Sequence, residues 1–186
     1  MLLSRSLRTD PYLLRATRRA KAHVPVRVCP PRAGFVHPAD PGDIAGILTF
    51  FGPAAVYGVR GVELRQQPAA GAGVAVAMLR VPGLVLLFEQ PMSPWDLSGQ
   101  LTDMATARLQ RAGARVTPSH TGVRVDWPGS TLRDFMLFDG LMHEIGHHMI
   151  QHAAGKHRTR AMRTADHERR ADEYAVRARR IWAAQW

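Results

Sequence analysis

From Ser130 to about Ala154, apolar residues recur with a helical period. On a wheel of about 100° per residue, Phe135, Phe138, Met142, Ile145 and Met149 share one narrow sector, the pattern of a helix with one face in a core. Ser130 or Thr131 can cap this helix, Asp134 lies in its first turns where a negative charge suits the dipole, and Gly155 can end it. A last helix from about Asp166 to Trp182 carries Ala171, Tyr174, Ala175, Ala178, Ile181 and Trp182 along one stripe. Earlier, Asp40-Pro41 with Asp43 starts a helix whose Ile44, Ile47, Leu48 and Phe51 share a side, and Gly52-Pro53 stops it. Runs of β-branched and apolar residues at Val56 to Leu64, Val74 to Val81 and Leu84 to Glu89 predict strands. So does the period-two alternation from Gly122 to Trp127, closed by Pro128-Gly129. Gln67 to Gly73 is a loop, and Ser93 to Ala112 has helix-compatible spacing. Residues 1–22 predict a short basic helix. Pro25, Pro30, Pro31 and Pro38 then make a linker or extended lead-in up to about residue 40. The pattern is that of an α+β protein: a basic arm and linker over 1–32, then a single domain over 33–186.

Composition narrows the chemistry. At 186 residues and 46% hydrophobic content, one domain with an ordinary core is expected. Cys29 is the single cysteine, so a disulfide framework and a Cys-rich zinc site are excluded, and any metal must be held by His, Asp or Glu. No stretch reads as a transmembrane segment: Ile47 to Val59 is short and holds Pro53, and Arg80 and Pro82 interrupt Val74 to Phe88. The arginine-dotted start lacks the apolar run of a secretory signal, so a reducing, cytoplasmic setting is expected. The net charge of +10 sits at the ends. Residues 1–32 hold eight Lys/Arg against Asp10 alone, residues 156–186 hold nine against four acids, and the middle is slightly acidic. Such ends can make weak contact with nucleic acid, although 23 arginines against two lysines suit a solvated tail and a compositional bias equally well.

Within the helix that begins near Ser130, His143-Glu144-Ile145-Gly146-His147 forms an H-E-x-x-H word. Residues four apart stand one turn above each other, so His143 and His147 can aim ring nitrogens at one ion with Glu144 beside them as a base. Their face carries Met136, Asp139, Gly140 and Ile150 and is distinct from the core stripe. His148 and His152 make a second pair more than about 90° away, expected at the surface or behind the ligands. Two ligands are too few, because catalytic zinc takes three from the protein and leaves the fourth position to water. Downstream, His167-Glu168-Arg169-Arg170-Ala171-Asp172 opens the last helix, and Glu168 borders its apolar stripe, where a carboxylate needs a cation. Glu168 is the expected third ligand and His167 the alternative. Gly140 and Gly146 each cost a helix about 1 kcal/mol relative to Ala, which predicts close approach of another element, the last helix first among them. Tyr174, His157 and His148 stay open as donors to a developing oxyanion.

The pairing of His143-Glu144-x-Gly146-His147 with Glu168-x-x-Ala171-Asp172, followed by Glu173-Tyr174-Ala175, resembles the zinc metallopeptidases called gluzincins, above all the small ImmA/IrrE-type family. The resemblance spans about residues 130–176. A similar E-x-x-A-D word occurs in the CAAX prenyl proteases, membrane proteins whose spans are lacking here. The resemblance implies a minimal zincin-like domain, with a small, mostly antiparallel sheet packed on an HExxH active-site helix and a C-terminal ligand helix. It implies Zn2+ bound by His143, His147 and Glu168, Glu144 as catalytic base, and Asp172 supporting a ligand from behind. The implied reaction is hydrolysis of a peptide bond in a peptide or protein substrate, such as a regulatory protein. Two other readings remain. One is a catalytically inactive zincin-like domain that binds nucleic acid or protein through its basic ends. The other is a structural zinc domain, for which an open coordination position is the wrong design.

Overall fold

The computed structural model describes residues 23–68, 75–153 and 163–185. The basic helix expected over 1–22, Gly155, His157 and most of the Gln67–Gly73 loop lie outside them. In chain order the described elements begin with β1 (Val26–Val28), β2 (Phe35–Val36), α1 (Pro41–Ala55), β3 (Gly61–Arg65), β4 (Ala77–Arg80), β5 (Leu84–Phe88) and β6 (Gln90–Pro91). They continue with β7 (Trp95–Ser98), α2 (Asp103–Arg111), β8 (Arg115–Ser119), β9 (Gly122–Asp126), α3 (Thr131–Phe135), a π-helical segment Met136–Met142, α4 (His143–Ala153) and α5 (Ala165–Ala183).

The architecture is α+β, with small and mostly antiparallel sheets. The largest has the order β1-β3-β5-β4, with β1 and β5 parallel to β3 and β4 antiparallel to β5. Its central strand β5, Leu84-Val-Leu-Leu-Phe88, is an unbroken apolar run, as a strand covered on both faces requires. The strands β7, β9 and β8 form an antiparallel sheet, and β2 pairs antiparallel with β6. β1 falls in the stretch read as linker or extended lead-in: Val26-Arg27-Val28 forms an edge strand that registers with Val62 to Leu64. Residues before 33 thus join this sheet, and Val24 is already buried. The helix-compatible stretch Ser93 to Ala112 divides instead into β7 and α2, because Trp95-Asp96-Leu97-Ser98 pairs with β9 and buries Trp95.

α1 begins as its sequence predicts, with a capping box in which Asp40 accepts from the Asp43 N–H at 2.8 Å and Asp43 accepts from that of Asp40 at 3.0 Å. Gly52, at φ 74°, breaks its path before one further turn to Ala55. The long helix expected from Ser130 exists as three pieces in line, α3, the π segment and α4. Ser130 makes no capping hydrogen bond. Instead, the Thr131 hydroxyl donates to the Pro128 carbonyl at 2.7 Å. Through the wider π turns a wheel of about 100° per residue does not hold, so Met136, assigned above to the ligand face, lies in the core with Phe135, Phe138, Met142 and Ile145. Trp95, Trp127 and Phe135 tie the three-stranded sheet to α3, with ring centroids 5.1 Å apart for the two tryptophans and 4.9 Å for Trp127 and Phe135.

α5 lies against α4 at Ala171 and Tyr174 and runs on past the π segment with Ala171, Ala175 and Ala178 all buried, and Trp182 closes its far end edge-on to Phe50 of α1. The two helical glycines have different neighbours. Gly140 faces Val76, Ala77 and Leu87 of the sheet region at ordinary contact distance rather than the last helix. Gly146 does face α5: a Cβ there would lie 3.2 Å from both Ala171 Cα and Tyr174 Cβ. Gly146→Val is expected to overpack this contact and cost roughly 1–3 kcal/mol, read as a lower urea midpoint at unchanged slope.

Candidate metal centre

Residues on α4 and the opening turns of α5 converge here. His143 and His147, one helical turn apart, stack along one face with ring centroids 4.7 Å apart and Nε2 atoms 3.1 Å apart. Thr164 caps α5. Its hydroxyl oxygen accepts the His167 N–H at 3.2 Å, and its carbonyl accepts the Glu168 N–H at 3.0 Å. With the first turn fixed this way, Glu168 reaches across to α4. Its Oε2 lies 3.4 Å from His143 Nε2 and 3.3 Å from His147 Nε2.

Two imidazole nitrogens and one carboxylate oxygen thus form a nearly equilateral triangle. Tetrahedral ligands bonded at about 2.0–2.1 Å stand about 3.3 Å from each other, so the observed edges fit a single ion with one position left over. Glu168, rather than His167, supplies the third corner. The His167 ring is 5.6 Å from that of His147, centroid to centroid, and its buried Nδ1 has no partner among the described residues. Glu144 also offers an oxygen within 4.8 Å of ligand nitrogens on His143 and His147, so this buried trio could by itself hold a metal ion. The Glu144 carboxylate is already engaged, however: Oε2 accepts the Leu79 N–H of β4 at 2.8 Å and an Arg163 N–H at 2.5 Å. Glu144 Oε2 is thus engaged beside the triangle that Glu168 Oε2 completes.

Both imidazoles and Glu144 are buried, whereas the side chains of Glu168 and Asp172 are 42% and 46% exposed. The site is closed toward the sheet and open along α5. Asp172 Oδ1 lies 3.0 Å from His143 Nδ1, close enough to favour the tautomer whose Nε2 lone pair faces the triangle, although the pair does not have hydrogen-bond geometry. The close His143 imidazole holds the Asp172 carboxyl below its ordinary range against the opposing effect of burial, and the charges of Arg108 and Arg111 help. Burial, aided by the nearby Arg163 and His143, pushes His147 down to about 4, with Glu168 opposing. His147 is therefore neutral near pH 7, the form that ligates a metal.

The other histidine pair takes no part. His148 is buried rather than superficial and donates from Nε2 to the Tyr57 carbonyl at 2.9 Å, while His152 meets both His148 and Tyr57 edge-on, its ring centroid 4.3 Å from that of His148. Tyr174, raised to about 12 by burial, lines a groove with Met149, Ile150, Arg170 and Arg177 that includes none of the donors. Two groups that do touch the site, Arg163 and the Leu79 N–H, were not singled out by the sequence. The available signal for Arg163 was its place immediately before the Thr164 cap, at the same end of α5 as Glu168.

The chain matches no protein-family model, no curated protein and no solved structure. Its functional reading rests on this geometry.

Two outcomes are expected. In the presence of a chelator, the unfolded chain takes up a proton on His147 near pH 6.5, whereas the folded chain does so only near pH 4. Folding stability from this group is complete above 6.5 and is lost as pH falls toward 4. Urea midpoints measured across that range should drop with acidification, and His147→Gln should flatten the drop. Asp172→Ala should weaken zinc binding by roughly 10–100-fold in a competition titration, with the fold retained.

Proposed function

We propose that this protein is a zinc-dependent peptidase whose metal is held by His143, His147 and Glu168 and whose base is Glu144. The triangle of donors carries the reading: a His₂Glu set with a vacant fourth position is the arrangement of a catalytic rather than a structural zinc site. Imidazoles with a single carboxylate also suit zinc better than calcium or magnesium, which prefer all-oxygen shells. The HExxH word and the downstream Glu168-x-x-Ala171-Asp172 support a zincin-like, gluzincin-type assignment, with the ImmA/IrrE-type peptidases as the nearest model.

Zinc held there would lower the pKa of a bound water to about 7 and polarise the scissile carbonyl. The chain's own residues do the rest. Glu144 accepts the proton from the attacking water and delivers it to the leaving amine, so one carboxylate serves as base and then acid. Asp172 keeps His143 oriented throughout. β4 is the outer strand of its sheet, and its Leu79 N–H already meets Glu144, so the sheet edge and the base are one hydrogen bond apart. An extended peptide laid beside that edge would bring a backbone carbonyl to the site. Two of the five arginines of α5 are already neutralised by acids and so are not free for a nucleic acid. Arg169 is paired with Asp166 and Glu173, and Arg179 with Asp139.

The test is metal content and peptide cleavage in three proteins. Wild type should bind one zinc and cleave. Glu144→Gln should keep its zinc and lose roughly 10²–10⁴ of its rate. Glu168→Ala should lose the metal. If Glu144→Gln cleaves at the wild-type rate, or Glu168→Ala keeps zinc at full affinity, the assignment is wrong.

A further inference from the structure

Among the described residues, Arg163 pairs with both carboxylates of the site, and its contacts divide them in a particular way. Nη2 donates to Glu144 Oε2 at 2.5 Å, and Nη1 lies 3.8 Å from Glu168 Oε1. On Glu168 this is the oxygen turned away from the imidazoles, since Oε2 completes the donor triangle. On Glu144 it is the oxygen that also takes the Leu79 N–H, while Oε1 is engaged by neither of these donors. One guanidinium thus hydrogen-bonds one oxygen of Glu144 and stands at ion-pair distance from one oxygen of Glu168, leaving the other oxygen of each for the chemistry. Its backbone is well placed to do so, because Arg163 adjoins the cap that fixes the first turn of α5.

We infer that Arg163 is a positioning residue that orients the general base and the third metal ligand together. This rests on the roles proposed above for Glu144 and Glu168. The physical need is plain. Glu144 is buried and Glu168 stands nearby, and two carboxylates that share a site repel each other and turn freely about their last bond unless something fixes both. A planar fork can hold two carboxylates at set angles, whereas a point charge at the end of a lysine stem neutralises without orienting.

The experiment compares Arg163→Ala, Arg163→Lys and wild type by zinc titration against a chromophoric chelator and by steady-state cleavage, with thermal midpoints in chelator to establish folding. Arg163→Ala should bind zinc roughly 10–100-fold more weakly and lose a similar factor in kcat with little change in KM. Arg163→Lys, which keeps the charge, should recover only a minor part of either loss. In a Glu144→Gln background, Arg163→Ala should still weaken zinc through Glu168. Zinc bound by Arg163→Ala as tightly as by wild type, or more tightly, would make Arg163 a mere competitor of the ion. Full recovery in Arg163→Lys would make it a simple counter-charge. Either result overturns the inference. Should Arg163→Ala fail to fold, the Lys comparison decides on its own. Should the chain cleave no peptide, the zinc titrations still judge Arg163 while the peptidase reading fails.

Discussion

Glu168 meets the two imidazoles because α5 runs almost against the backbone of α4 at Gly146. The contact partners there are Ala171 Cα and carbonyl and Tyr174 Cβ, so any side chain at 146 would have to displace main chain rather than bend a flexible neighbour. Small residues continue along the seam at Ala171, Ala175 and Ala178. Asp139 anchors the same helix farther along, through Arg179 of α5, and it also receives Arg108 of α2. The spacing of the candidate donors is thus inherited from a helix–helix distance, which is set by the absence of a side chain at one position.

The second constraint is electrostatic. α4 is buried nearly all round and holds His143, Glu144, His147, His148 and Gln151 inside the fold. Polar groups in such a place are tolerated only when partnered. Glu144 has Leu79 and Arg163, His143 has Asp172, and His148 has the Tyr57 carbonyl. His147 stays neutral, which leaves its Nε2 lone pair ready for an ion, while its buried Nδ1 has no partner among the described residues. The polar interior is arranged around the donor triangle.

Much of the site was legible because its signals are local. Four-residue spacing puts His143 above His147, and a carboxylate bordering an apolar stripe at the start of a helix has few uses, so Glu168 followed from its place, whereas Asp172 entered only through the family resemblance. Arg163 was lost among 23 arginines. Leu79 acts through its backbone N–H, which no side-chain pattern reveals. In the fold, β1 and β7 were hidden for different reasons. Val26-Arg27-Val28 is three residues long between prolines, and Trp95 to Ser98 alternates over too short a run to outweigh the helix-like spacing that follows. Pairing with distant strands, not propensity, makes both of them strands.

The π segment separates two phases of one rod. α3 is registered to the aromatic cluster of Trp95 and Trp127, α4 to the donors on α5, and Met136–Met142 absorbs the angular difference between them. Each residue added to or removed from a helix turns everything beyond it by about 100°. A single-codon deletion in this stretch could restore regular α geometry while swinging both imidazoles off their target, so the length of these seven residues is as much a part of the centre as the atoms that would touch the ion.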